Sequence, residues 1–357
     1  MNIVVVVDDF HGGAGNIAQL LATELSASHD VWLVLTNLHS PKRYPLENIH
    51  IADCNLSITG KNKITGLISS IRRIDKLLRH EIGADIVISF LDNNNSLVCL
   101  SQWFNKTPII VSERSNPLAI YPKAPWDKIR RIAYRRANVV TVQFSHFAQF
   151  DNARFQKKCR VTSNIVQAPP CLKKEWTSER TRFVTFGRLQ DIKRMDLMID
   201  LFDLAQQKDP SIELHIYGDG PQKEALQRKI DSLGLSDKVF LKGYCNQVHQ
   251  TLIEYDVYLM TSLQEGFPNS LCEAMAVGLP SVAFACHEGI VELCEHEKSG
   301  FAIPEGETDA FVEKMLFLAH DPMIREKMGI SAQKISCQYS KERIMNQWQE
   351  CINEVVK

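Results

Sequence analysis

Two glutamates separated by seven residues stand in the stretch Glu265-Gly266-Phe267-Pro268-Asn269-Ser270-Leu271-Cys272-Glu273-Ala274-Met275. The apolar run Val257–Thr261 precedes them as a strand, and the pattern from Ser270 onward is helical. Glu265 therefore falls in the strand-to-helix loop and Glu273 about one turn into the helix. Backbone N–H groups of Asn269, Ser270 and Leu271 would point out of the helix start, where an anion is favoured. Amides for a diphosphate and a carboxylate for vicinal hydroxyls would together suit a nucleotide sugar. The same glutamates could simply cap the helix and complement its dipole, and spacing alone favours that plainer role.

Cations that could face the same anion lie upstream. The strand Arg182–Phe186 runs into Gly187-Arg188-Leu189-Gln190-Asp191-Ile192-Lys193. Arg188 could bond a diphosphate bidentately and Lys193 could act as a point charge, although lone basic residues in such loops are more often just solvated. Gly218-Asp219-Gly220-Pro221 reads as a strand-to-helix turn with Pro221 at the first helical position, lining the same crevice. Near the start, Asp8-Asp9-Phe10-His11-Gly12-Gly13-Ala14-Gly15 lets the backbone approach a ligand. It has neither the dinucleotide-loop spacing nor the Gly-Lys-Ser/Thr of a P-loop, and a tight turn without a ligand accounts for it equally well.

These residues need elements to hold them, and the chain supplies alternating β-branched runs and amphipathic stretches, as in parallel α/β sheets. First-half strands are expected at Ile3–Val7, Val31–Thr36, Ile49–Ala52, Ile86–Phe90, Pro108–Ser112 and Val139–Val142. Helices are expected between them at Gly15–Ser26, Lys63–Glu81, Ser96–Phe104 and Trp126–Arg136. After Ala168-Pro169-Pro170 the pattern restarts, with strands at Arg182–Phe186, Glu213–Gly218, Val239–Lys242, Val257–Thr261, Ser281–Ala285 and near Gly300–Ile303. Its principal helices are Lys193–Gln207, Pro221–Leu233, Ser270–Val277, Thr308–Ala319 and Pro322–Ser336. A last helix, Lys341–Val356, carries Ile344, Trp348, Ile352 and Val355 on one face. Two doubly wound α/β domains would face a cleft, with chemistry in the strand-to-helix loops.

Composition agrees with a globular chain. Of 357 residues, 45% are hydrophobic and 23% charged, which excludes disordered and collagen-like classes. No apolar run nears the roughly 20 residues of a membrane-spanning helix, and no secretory leader is visible. Ten scattered cysteines without a Cys-x-x-Cys pair read as small core residues of a reducing, cytoplasmic compartment. The net charge of −1 hides an asymmetry: residues 1–170 hold 20 Lys and Arg against 13 Asp and Glu, and the remainder hold 21 against 29. Lys123, Lys128, Arg130, Arg131, Arg135 and Arg136 crowd residues 123–136, with Trp126, Ile129, Ile132 and Tyr134 interleaved. Such a segment suits either an anionic membrane face or an ordinary solvated helix; the aromatics do not form a stacking platform for nucleic acid.

Taken in order and spacing, Gly187-Arg188 with Lys193, Gly218-Asp219-Gly220-Pro221 and Glu265-x7-Glu273 resemble the retaining glycosyltransferases of family 4. Ile88-Ser89-Phe90-Leu91-Asp92 followed by Pro108 to Asn116 is similar to bacterial enzymes that extend exopolysaccharides and lipid-linked oligosaccharides, including amylovoran-type and hexosamine transferases. The resemblance implies a GT-B fold: an acceptor domain at 1–167, a nucleotide-sugar domain at 168–338, and a helix at 339–357 returning to the first domain. It implies that Arg188 and Lys193 hold the donor diphosphate, Glu273 the ribose hydroxyls, and Glu265 the donor sugar. Gly187 and Gly218 would line the nucleotide site, and Gly13 would approach the phosphate from the other domain. Many members carry a histidine near the end of the strand Pro108–Ser112. Here Glu113 and Arg114 stand there, as candidate acceptor or donor-sugar contacts without a transferable role.

The expected reaction is metal-independent transfer, with retention, of a hexose or N-acetylhexosamine from a UDP-sugar to a polyprenyl-diphosphate-linked glycan. It would need no cofactor and would take place on the inner face of the cytoplasmic membrane. Rivals are a nucleotide-sugar 2-epimerase on the same fold and a non-catalytic nucleotide-sugar-binding protein.

Overall fold

The computed structural model describes residues 1–10, 12–37, 46–54, 56, 63–118, 126–176, 180–295 and 297–356. The chain divides into two compact units, Met1–Ile165 with Glu342–Lys357, and Val166–Lys341. The sequence expectation had set the divisions after 167 and 338.

The first unit holds seven parallel strands: β1 (Asn2–Val7), β2 (Asp30–Leu35), β3 (Ile49–Asp53), β4 (Ile86–Phe90), β5 (Ile109–Ser112), β6 (Val139–Val142) and β7 (Cys159–Val161). Their order is β3-β2-β1-β4-β5-β6-β7. A parallel sheet is covered by helices on both faces, so its strands read as continuous apolar runs rather than alternating ones. Ile3 to Val7 are accordingly at most 1% exposed. The second unit repeats the plan with β8 (Arg182–Phe186), β9 (Glu213–Tyr217), β10 (Val239–Gly243), β11 (Val257–Met260), β12 (Ser281–Phe284) and β13 (Gly300–Ile303), ordered β10-β9-β8-β11-β12-β13. Strand order reverses between β1 and β4 in one sheet and between β8 and β11 in the other. At such a reversal the connections leave to opposite faces and open a crevice beyond the carboxyl ends.

Several expected boundaries move. The stretch Lys63–Glu81 is α-helical only to Lys76 and continues as a wider π-helical turn, Leu77–Ile82, stopped at Gly83 with φ +69°. β7 was not expected, because Cys159-Arg160-Val161 is short and lies half open to solvent. Pro221 does not open its helix, which begins at Lys223. The helix expected over Pro322–Ser336 ends at Ala332, with a separate turn at Ile335–Gln338.

The last helix, Lys341–Val356, buries Ile344, Trp348, Cys351 and Ile352, and Trp348 lies 5.7 Å from the Phe90 ring of β4. Arg160 grips Glu354 with two bonds, Nε to Oε2 at 2.9 Å and Nη2 to Oε1 at 2.7 Å.

Candidate active site

The second unit's reversal point is built from backbone. Beyond β8, the Gly187 N–H donates to the Tyr217 carbonyl (3.0 Å) and the Leu189 N–H to Asp219 (3.0 Å); Gln222 N–H donates back to Leu189 (3.1 Å). The turns after β8 and β9 thus lie main chain against main chain. Gly218 has φ +140°, and a Cβ there would fall 1.8 Å from the Gly187 carbonyl oxygen, so no other residue fits unshifted. This seam carries Arg188, whose side chain is exposed and has no hydrogen bond or ion pair among the described residues.

Lys193 closes a single 3-10 turn, Asp191–Lys193, before the helix Met195–Gln206. The loop after β11 is tied to that turn. Thr261 Oγ1 lies 3.1 and 2.9 Å from the Lys193 and Arg194 carbonyl oxygens, and the Leu263 N–H donates to Ile192 (2.9 Å). These bonds bring Glu265 Oε1 to 2.5 Å from Lys193 Nζ, with the two side chains 12% and 23% exposed. Cys286 lies against Glu265; burial, and next the Glu265 charge, push its thiol up to about 12. It therefore stays protonated beside the ion pair.

The helix Asn269–Val277 begins after Pro268 with no side chain capping it. Cys272 N–H reaches the Pro268 carbonyl at 3.0 Å, whereas the Ser270 and Leu271 N–H groups meet no backbone acceptor among the described residues. Two unsatisfied N–H groups at a helix start are an anion site. Tyr258, buried in β11, donates to Ser270 Oγ at 2.8 Å, and its oxygen is 3.2 Å from the Phe186 carbonyl. One side chain therefore couples the helix start to the end of β8. Asn269 and Glu273 are half-buried on the first turns. Glu265 is no cap for this helix, because its carboxylate is paired with Lys193 instead.

Gly187, Arg188, Lys193, Gly218, Glu265, Asn269, Ser270, Leu271 and Glu273 thus all lie on loops or helix starts at the carboxyl ends of β8, β9 and β11. Tyr258 and Thr261 were missed as positioning residues. Their signal was a hydroxyl in, or just past, an otherwise apolar strand, which needs a partner when buried.

The first unit treats its candidates differently. Gly13 lies in the first turn of the helix Gly12–Leu25, past the end of β1; His11 is outside the described residues. Glu113 and Arg114, the expected acceptor or donor-sugar contacts, are 3% and 8% exposed and bonded within the fold. Arg114 donates from Nε to Ser112 Oγ (2.8 Å), from Nη1 to the Thr162 carbonyl (2.8 Å) and Asn164 Oδ1 (3.2 Å), and from Nη2 to Thr162 Oγ1 (3.2 Å). Glu113 accepts from the Tyr134 hydroxyl and lies 3.4 Å from Arg130 Nη1.

The basic segment 123–136 is partly engaged within the fold. Its helix is Trp126–Ala133, and Lys123 falls outside the described residues. Arg130 is 2% exposed; Arg131 pairs with Asp127 and Asp151; Arg136 donates to three backbone carbonyls. Of the named cations among the described residues, Lys128 and Arg135 stand exposed.

Residues 173–335 match the family model described as glycosyl transferases group 1. Over 168 residues, 47% of this chain and 34% of the relative, the sequence is 32% identical to a poly(ribitol-phosphate) α-N-acetylglucosaminyltransferase of Staphylococcus aureus. It is 25% identical over 351 residues, 96% of both chains, to a Campylobacter jejuni α-1,4-N-acetyl-D-galactosaminyltransferase named for a GalNAc-GalNAc-diNAcBac-PP-undecaprenol substrate. The chain spans only 34% to 64% of the length of three curated relatives that it matches. A Staphylococcus aureus TarM variant, solved with fondaparinux, α-GlcNAc-glycerol and UDP, superposes with a TM-score of 0.78 at 16% identity, covering 99% of both chains. Two parallel Rossmann-like sheets, the matched segment and these likenesses lead to one conclusion: residues 173–335 resemble a glycosyl transferases group 1 domain, within a chain that has the GT-B fold and is similar to lipid-linked oligosaccharide transferases.

Proposed function

We propose that the chain is a retaining glycosyltransferase that moves a hexose or N-acetylhexosamine from a UDP-sugar to a lipid-linked glycan in surface polysaccharide synthesis. The observation that carries this reading is the convergence, at the β8/β11 reversal, of unpaired Arg188, the Lys193–Glu265 pair and the open N–H groups of Ser270 and Leu271. The UDP held by the TarM variant and the α-linkages named for the two relatives support the donor and the stereochemistry.

In the proposed step the acceptor hydroxyl attacks the anomeric carbon on the face the diphosphate leaves. The new C–O bond forms as the old one breaks, and the hydroxyl proton passes to the departing diphosphate oxygen. Arg188, Lys193 and the helix amides stabilise the charge growing on that oxygen, as a bound metal ion would elsewhere. Glu273 takes the ribose hydroxyls, Glu265 orients Lys193 and faces the donor sugar, and no organic cofactor takes part. The lipid-linked acceptor places the enzyme at the inner face of the cytoplasmic membrane. No helix among the described residues is long and apolar enough to cross one.

The test is thermal stability of the purified protein with UDP, GDP, ADP or CMP, repeated with Arg188→Ala. A ligand at a hundredfold excess over its dissociation constant adds about 2.7 kcal/mol. Selective stabilisation by UDP, abolished in the variant, supports the site; indifference to every nucleotide refutes it. Consumption of donor sugar without acceptor would instead identify an epimerase, and binding without turnover a non-catalytic binder.

A further inference from the structure

Most large apolar side chains exposed on this protein are only half open, but Phe104 is 99% exposed and its neighbour Trp103 is 37% exposed. They sit on the turn that ends the helix Asp92–Ser101. That turn is rigidly held. Asn105 N–H donates to the Gln102 carbonyl (3.1 Å), and Asn105 Nδ2 donates to Gln102 Oε1 (2.7 Å). Gln102 is fully buried and reaches Asp75 Oδ1 at 3.2 Å. From the other side, Arg136 donates to the carbonyls of Gln102 (2.8 Å), Asn105 (2.5 Å) and Thr107 (2.6 Å). A mobile loop could fold its phenylalanine back onto the protein, but this one holds it out in water.

The surroundings say what would cover it. The helix Trp126–Ala133 leads into Arg136, and one turn before that arginine Ile132 is 47% exposed; Trp126, at the helix start, is 38% exposed. Lys106 on the turn, Lys128 on the helix and Arg135 after it are all exposed. Between residues 93 and 150 the acids are Glu113 and Asp127 alone. Glu113 is buried, and Asp127 lies 3.0 Å from Arg131 Nε and 3.6 Å from Arg130 Nη2. An apolar tip with exposed cations on its own turn and on the segment that Arg136 ties to it matches the acyl and phosphate layers of an anionic lipid surface. A two-fold contact with a second copy would set the same cations against one another.

We propose that the Trp103-Phe104 turn is a membrane wedge that inserts between lipids of an anionic leaflet, while Lys106, Lys128 and Arg135 rest on the phosphates. This adds, to the exposed charges Lys128 and Arg135 of the segment 123–136, an apolar contact on a turn of the neighbouring helix. It rests on the reading that the acceptor is lipid-linked, and its test is separable because nucleotide binding belongs to the other unit.

The test is co-sedimentation of the full chain with vesicles of equimolar phosphatidylcholine and phosphatidylglycerol, compared with phosphatidylcholine alone. Phe104→Ser should weaken partition about tenfold or more. Lys106→Gln and Lys128→Gln should each weaken it about fivefold on anionic vesicles and not on neutral ones. Wild-type Trp103 should be quenched by brominated lipid, a signal lost in Trp103→Phe, which needs no disruptive substitution. Each variant is checked for unaltered thermal stabilisation by UDP. Unchanged partition of Phe104→Ser, or no bromine quenching of Trp103, overturns the wedge and leaves the glycosyltransferase reading standing. So does a wild-type dimer in solution that Phe104→Ser converts to monomer. Absence of UDP stabilisation in the wild type, with partition intact, overturns the function and not the wedge.

Discussion

Two arginines at the carboxyl ends of the two sheets face opposite fates. Arg114, past β5 in the first unit, is 8% exposed and donates to four oxygens, two of them on Thr162. It also lies 5.4 Å from the ring centroids of both Phe90 and Trp348, linking β4, β5, β7 and the last helix. Burial pulls it down to about 9. Arg188, past β8 in the second unit, stands in solvent with no such partner. The same chemical group on the same topology serves as a clamp where backbone and amide oxygens converge on it, and stays available where the surrounding carbonyls are used in a main-chain seam. A charge reads as functional when its partner is exchangeable. Lys193 meets that condition, since its partner is a side chain that can turn toward another cation or a hydroxyl.

The largest effect should come from breaking the clamp. Arg114→Met strands several buried acceptors and should cost about 3 kcal/mol or more in urea unfolding, whereas Arg188→Ala should change stability by less than about 0.5 kcal/mol. Equal costs would erase the contrast between the units. Next, Glu265→Gln should lower kcat about a hundredfold in a donor-transfer assay while shifting stability by no more than about 1 kcal/mol. A stability loss as large as the loss of activity would make the Lys193 pair a clamp after all. Gly218→Ala, whose Cβ would strike the Gly187 carbonyl, should cost about 1–3 kcal/mol and weaken UDP stabilisation together with it. Retained UDP response would mean that the seam does not position Arg188.

The smallest effect is one of sign with pH. Burial holds His249 below its usual 6.5, and burial with the nearby Lys242 charge does the same for His215. The unfolded chain takes up these protons first, so their contribution is present above 6.5 and is lost as pH falls below it. Burial raises Glu113, opposed by Arg130 and by the Tyr134 hydrogen bond. Folding then favours its protonated form, so its contribution is present below the ordinary 4.5 and declines as pH rises toward the folded value. His249→Gln should therefore flatten the acid-side loss, and Glu113→Gln should flatten a decline running the other way. Unfolding curves of both variants from pH 4 to 8 measure the difference, and slopes of one sign would contradict it.

Much of the frame was legible without coordinates. Strand runs such as Ile3–Val7 and Val257–Thr261 are apolar because parallel strands are covered on both faces, and the apolar stripe of Lys341–Val356 names its buried side. Loop positions followed from these, which is why Arg188, Lys193 and Glu265 could be chosen as candidates. β7 escaped because three half-exposed residues carry no periodicity. In the basic segment, Arg130 and Arg136 look alike in sequence to Lys128 and Arg135, yet the first two are bonded within the fold and the others are exposed.

The sequence by itself determined where chain direction and periodicity change, and hence the two parallel sheets and the loops at their carboxyl ends. Only the tertiary structure decided what stands opposite each polar group: Glu265 opposite Lys193, Glu113 against Tyr134, and nothing but solvent around Phe104. Periodicity is a property of neighbours along the chain. Partnership depends on residues dozens of positions away, brought within a few ångströms by packing that no local pattern records.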